Sequence, residues 1–163
     1  MSVSTQRTGA NPTTSCLSQT VGFDILQASV NGAAQTYTLE EKIPARAIVL
    51  QRWISLNTEF SGGGLTSCVV DLGWSNPDDT DADGWYSAED VFTGAGAGIK
   101  AVPSTPGVRL AGGACDVSDY ERSVTVTFTP DAAHKLSEVT AGSLSVNVVY
   151  LLSPALDQVL PVA

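Results

Sequence analysis

The chain has 163 residues, 17 acidic and 8 basic side chains, a formal net charge of −9, 43% hydrophobic residues and only 15% charged ones. That length suffices for one domain with its own core, and the composition is that of a folded β protein rather than a disordered chain. The scattered bases and the acidic balance exclude an ordinary nucleic-acid interface, since a phosphate backbone would be repelled.

Residues 1–20, "MSVSTQRTGANPTTSCLSQT", are rich in Ser, Thr, Gly and Pro and contain no apolar signal core, so they are expected to form an extended polar N-terminal arm, with a single domain over 21–163. No stretch approaches the roughly 20 apolar residues of a spanning helix, so the expectation is folding in the cytosol without a membrane partner. From "FDILQASV" onward short apolar or alternating runs separated by turn residues predict strands, and Asn31-Gly32 predicts a tight hairpin turn. In "ARAIVLQRWISLNTEF", Ile48, Leu50, Ile54, Leu56 and Phe60 fall on one face, with Arg52 and Thr58 as exceptions, which predicts a long half-buried strand. "LTSCVVDLGW" follows after Ser61 and three glycines.

"RSVTVTFTP" sets Val124, Val126 and Phe128 against Ser123, Thr125, Thr127 and Thr129. "SLSVNVVYLL" puts Leu144, Val146, Val148, Tyr150 and Leu152 on one side. Between them, "PDAAHKLSEV" has the makings of one helical turn started by Pro130 and Asp131. "GAGAGIK" has glycines at 94, 96 and 98, neither a dinucleotide fingerprint nor a phosphate loop, and is expected to be a flexible loop; "VRLAGG" is expected to be a strand within the long stretch after Thr93. The whole pattern predicts an all-β fold, a two-sheet antiparallel sandwich of jelly-roll type.

The chemistry-bearing candidate is "NPDDTDADGWYSAED". Seven of the 17 acids lie between Asp71 and Asp90, with no Lys or Arg among them. Counted from Asp79, carboxylates fall at loop positions 1, 3, 5 and 12 (Asp79, Asp81, Asp83, Asp90), with Gly84 at the sharp-turn position 6 and the Trp85 carbonyl at 7. A calcium loop needs this collection of hard oxygens. Asp90 in place of a bidentate Glu and strand-like flanks depart from the EF-hand, and the alternative is a solvated acidic turn. Trp74, Trp85 and Tyr86 bracket the acids and could stack on a sugar, or could cover the rim of the sandwich; Trp53 suits core or inter-subunit packing. Three cysteines without C-x-x-C spacing point to no disulfide framework and no zinc site: Cys68 reads as a strand residue, Cys16 and Cys115 as free thiols. His134 stands without a nucleophile motif, so no catalytic residue is assigned and an enzyme is not expected.

Three stretches together resemble small β-sandwich structural proteins of tailed bacteriophages: "IPARAIVLQRWISLNTEFSGGG", "VVDLGWSNPDDTDADGWY" and "TAGSLSVNVVYLL", in that order, spanning residues 35 to 152. The resemblance implies a non-catalytic virion component without a required cofactor, made in the host cytoplasm. It implies a capsid decoration or head-fibre protein that meets the major capsid protein or another virion protein as a homo-oligomer, a trimer being favoured. The residues themselves offer the alternative of a calcium-assisted carbohydrate-binding sandwich, and the resemblance also allows a part of the head-tail junction or fibre.

Overall fold

The computed structural model describes residues 13–28, 34–100 and 116–152. In chain order the elements are β1 (Thr13–Gly22), α1 (Phe23–Gln27), β2 (Gln35–Ile43), β3 (Ile48–Ser61), β4 (Cys68–Ser75), β5 (Thr80–Asp90), β6 (Gly98–Ile99), β7 (Asp116–Val117), β8 (Arg122–Pro130), a 3-10 turn (Leu136–Glu138) and β9 (Ala141–Leu152). One sheet has the order β1-β9-β3-β6, with β7 also on β3; the other has β2-β8-β4-β5. All named strand pairings are antiparallel.

The pairing is nested: β1 with β9 outermost, then β2 with β8, then β3 with β6, and the β4–β5 hairpin innermost. A long antiparallel ribbon folded over itself in this way is a jelly roll, the expected fold class. Alternation supplies the driving force. On β8 the inward side chains Val124, Val126 and Phe128 are buried, and on β9 Leu144, Val146 and Val148 are too. Phe128 is the hub, with Phe60 edge-on at 5.4 Å and Tyr37 at 6.0 Å between ring centroids. Gly142 lets β9 close over this group: its φ is 130°, and a Cβ there would lie 2.4 Å from the Phe60 ring.

Four expectations are corrected. The boundary between arm and domain does not fall at residue 20, because β1 begins at Thr13 and pairs with β9 over its whole length, burying Leu17 and Val21; two apolar residues four apart are enough to seat an edge strand whose other residues are mostly small or polar. "FDILQ" is a single helical turn with Leu26 buried, not a strand. The helical turn expected from Pro130 starts later, at Leu136, since Pro130 ends β8. On β3 the buried face starts one residue away from the expected Ile48 and Leu50. A bulge between Val49 and Gln51 turns Val49 inward and leaves Leu50 53% exposed, while further irregularities after Leu56 bring Phe60 back into the core.

The glycine-rich loop after Phe92 is held rather than free: the Glu59 carboxylate accepts the Gly94 and Gly96 amides, and the Lys100 ammonium donates to the Ala95 carbonyl. The Asn31-Gly32 turn, the "VRLAGG" strand and Cys115 lie outside the described residues. Among the described helices none is long and apolar enough to cross a membrane.

The bulge on β3 yields a direct contrast. Phe128→Ala is expected to cost about 3–5 kcal/mol of unfolding free energy, whereas Leu50→Ser, despite removing a leucine from the same apolar-looking run, is expected to change it by no more than about 0.5 kcal/mol. Urea unfolding of the two variants checks both.

Candidate functional site

The β4–β5 hairpin is built by its own turn residues. Pro77 presets the turn, the Asn76 side-chain oxygen accepts the Asp78 and Asp79 amides at 2.9 and 2.8 Å, and the Asn76 amide donates to the Asp79 carbonyl at 2.8 Å. Beyond it Asp81 pairs with Trp74, yet the next partners are Leu72 and Tyr86, so residues 82–85 form a wide bulge in β5. A second bulge at Ser87 and Ala88 is fixed by Asp71, whose carboxylate accepts the Ala88 amide at 2.7 Å. The segment read as a calcium loop is therefore a bulged edge strand.

Its four carboxylates are spread accordingly. Asp79 sits in the hairpin turn, Asp81 and Asp83 beside the wide bulge, and Asp90 at the opposite end of β5, across from Val69. Burial, and then the neighbouring Asp83 carboxyl, pushes the Asp81 carboxyl above its ordinary range. Asp90 caps the next turn by accepting the Phe92 amide at 2.9 Å. The structure brings Asp81 and Asp83 together and keeps Asp90 apart, and among the described residues no group of three or more His, Cys, Asp or Glu side chains converges on a metal-sized space.

What the bulge does is turn Trp85 inward, beside a charged cluster that sequence reading did not assemble. Arg52 on β3 and Arg122 on β8 point between the sheets from opposite sides and meet at Asp116 on β7. The Arg122 Nη1 donates to Asp116 Oδ1 at 2.5 Å, the Arg52 Nη1 to Oδ2 at 3.3 Å, and the Trp85 indole N–H to the same Oδ2 at 3.2 Å. The arginine side chains are 14% and 3% exposed. Arg52 lies over the Trp85 ring at 5.4 Å, and Arg122 lies 5.9 Å from Trp85 and 6.0 Å from Trp74. The Tyr86 hydroxyl donates to the Arg52 carbonyl at 2.9 Å. One clue was present in the sequence: Arg52 and Arg122 each occupy an inward position on an otherwise apolar period-two face.

Above this cluster a cleft of about 210 Å³ opens between the hairpin and β7, lined by Arg52, Trp74, Asp79, Gly84, Ser118 and Arg122 among others. Gly84 shapes its wall, because a Cβ there would lie 2.4 Å from the Trp74 ring. At the far side of the molecule the single histidine is a turn element. Asp131 accepts the amides of Thr66 and Ala133 and is hydrogen-bonded to His134 Nδ1 at 2.7 Å; the Thr66 amide and the His134 ring hold its carboxyl well below the usual carboxylate range. The Thr66 hydroxyl donates to Asp131, not to the histidine, so it is not set up as a nucleophile. Cys68 is buried, and desolvation with a smaller contribution from Asp90 pushes its thiol up to about 12, so it is unreactive; Cys16 is exposed.

The class defined by these elements is a jelly-roll sandwich with a charge-locked end. Compared with known proteins, the chain matches no protein-family model and no curated protein by sequence. Its fold is similar to a solved chain of the cyanophage Pam1 capsid asymmetric unit, with a TM-score of 0.54, 16% identity, and coverage of 93% of this chain and 92% of that one.

Three outcomes test the site. Asp116→Asn is expected to cost about 3 kcal/mol, because it leaves two largely buried guanidiniums without a counter-charge; urea unfolding measures it. Asp131→Asn is expected to lower stability at neutral pH, with the gap from wild type closing as pH falls through the ordinary carboxylate range and below. The sign follows because a carboxyl with a depressed pKa in the folded state stabilises only while ionised; Tm against pH reads it. Millimolar calcium and a chelator are expected to give the same Tm, since the loop-position carboxylates do not converge.

Proposed function

We propose that the protein is a non-catalytic structural component of a virion, a decoration protein bound to the head surface of a tailed bacteriophage through the major capsid protein. The observation that carries the reading is the fold likeness to a chain from a phage capsid over more than nine-tenths of both chains. The three phage-like stretches of sequence support it independently.

A docking face fits this role. The outward side chains of β1, β9 and residues 48–58 of β3 include no charged residue, in a chain of net charge −9. One end of that face carries cross-strand hydroxyl and amide pairs, Ser18 with Asn147 at 2.8 Å and Thr20 with Ser145 at 2.8 Å. The other end is apolar, with Trp53, Val149 and Leu151 beside Val117, which is 37% exposed, while Ile99, 62% exposed, extends the Thr20–Ser145 row at the sheet edge beside Ser55. A neutral face is where copies of an acidic chain can approach without bringing carboxylates together, and it suits repeated weak contacts on a symmetric shell. The carbohydrate-binding alternative would need Trp85 to face solvent, but the residue is 8% exposed and its indole N–H donates to Asp116. A junction or fibre part shares the fold and differs in copy number.

The test is co-sedimentation of purified protein with purified heads that lack it. Binding is expected to saturate at a fixed ratio to the shell protein, and Ile99→Asp is expected to reduce both that occupancy and self-association in analytical ultracentrifugation while leaving Tm unchanged. No co-sedimentation by a correctly folded wild type would overturn the reading.

A further inference from the structure

The cleft above Asp116 has a chemistry that the sandwich does not use. Its floor is made of two guanidiniums brought from opposite sheets, yet they share a single carboxylate, so the buried cluster holds one positive charge in excess. Their hydrogen bonding is also incomplete. The Nε atoms of both Arg52 and Arg122 are buried without partners, Arg52 Nη2 makes no hydrogen bond among the described residues, and Arg122 Nη2 reaches only the Asp116 carbonyl at 3.4 Å. Desolvated arginines left under-coordinated favour an additional anion, and the planar fork of a guanidinium matches a carboxylate.

The walls narrow the choice. The Trp74 ring, seated against Gly84, offers an apolar flank, and Ser118 lies on the opposite rim. A space of about 210 Å³ takes a carboxylate with a few attached carbons and is too small for a large ligand. The rim also carries Asp79, exposed at the hairpin turn, whose charge opposes an incoming anion and so limits affinity.

We infer that this cleft is a carboxylate-binding site, in which Arg52 and Arg122 receive a carboxylate on their outer Nη atoms while its carbon chain lies along Trp74. The carboxylate is either an acidic side chain of a neighbouring protein or a small free diacid. The same fork serves both. The inference concerns the chemistry of the cleft and stands apart from the location of the protein on a particle.

The experiment is a titration of the ¹⁵N-labelled protein followed at its indole N–H resonances. The probes are glutarate and a blocked Gly-Glu-Gly peptide, with sodium chloride at matched ionic strength as the control. The expected result is a saturable shift of the Trp74 and Trp85 indole signals that chloride does not reproduce, weakened roughly tenfold in Arg52→Gln through loss of the charged fork. Asp79→Asn is expected to tighten binding about threefold by removing the repelling charge at the rim. Peptide binding as tight as glutarate assigns the site to a protein side chain; binding of glutarate alone assigns it to a free diacid. Should Arg52→Gln fail to fold, Asp79→Asn still decides, because it alters only an exposed turn. Shifts that match the chloride control, or an Asp79→Asn protein that binds both probes no better than wild type, overturn the inference.

Discussion

A two-sheet sandwich has to be closed at its ends, and in this protein one end is closed by charge. The Asp116 carboxylate holds Arg52 of one sheet and Arg122 of the other, with the Trp85 indole as a third donor. Burying three charges is unfavourable unless the geometry is good, and what offsets the cost is the set of indole faces under both guanidiniums. The wide bulge in β5 exists in this context to turn Trp85 inward, and Gly84 exists to let Trp74 lie against it. Removing the carboxylate therefore affects more than one contact: it loosens the register between the sheets at that end and the wall of the cleft above it.

The rest of the molecule follows from how charge is sorted around that lock. Acids gather along the edge hairpin formed by β4 and β5, while the outer face made by β1, β9 and residues 48–58 of β3 carries no charged side chain. Such sorting has a physical consequence. An acidic hairpin edge resists strand-to-strand association, and a neutral, partly apolar sheet face permits face-to-surface contact. The proposed place on a phage head uses the second property, and the carboxylate cleft offers a separate, polar point of contact at the end of the sandwich.

Most of the fold was legible because β8 and β9 alternate without interruption, so each residue type reports which way it points. Legibility failed where the backbone departs from period two. Leu50 is placed outside by a bulge that no side chain announces, and "DTDADGW", which has the acid spacing of a calcium loop, is instead a wide bulge whose glycine is required by the Trp74 ring packed against it. The charged cluster was the hardest to read, since Arg52 and Asp116 lie 64 residues apart and meet only through the nested topology. Arg52 did stand out as a charge on an apolar face. That anomaly, repeated at Arg122, was the usable signal, and it points to a shared buried counter-charge more firmly than any motif in the acidic hairpin points to a metal.

The measurement that bears most directly on the account is quantitative mass spectrometry of particles purified from a culture producing this chain, scored as its abundance relative to the most abundant shell protein. A structural protein of the head surface predicts a fixed abundance comparable to the shell protein. Absence of the chain from purified particles would contradict the account.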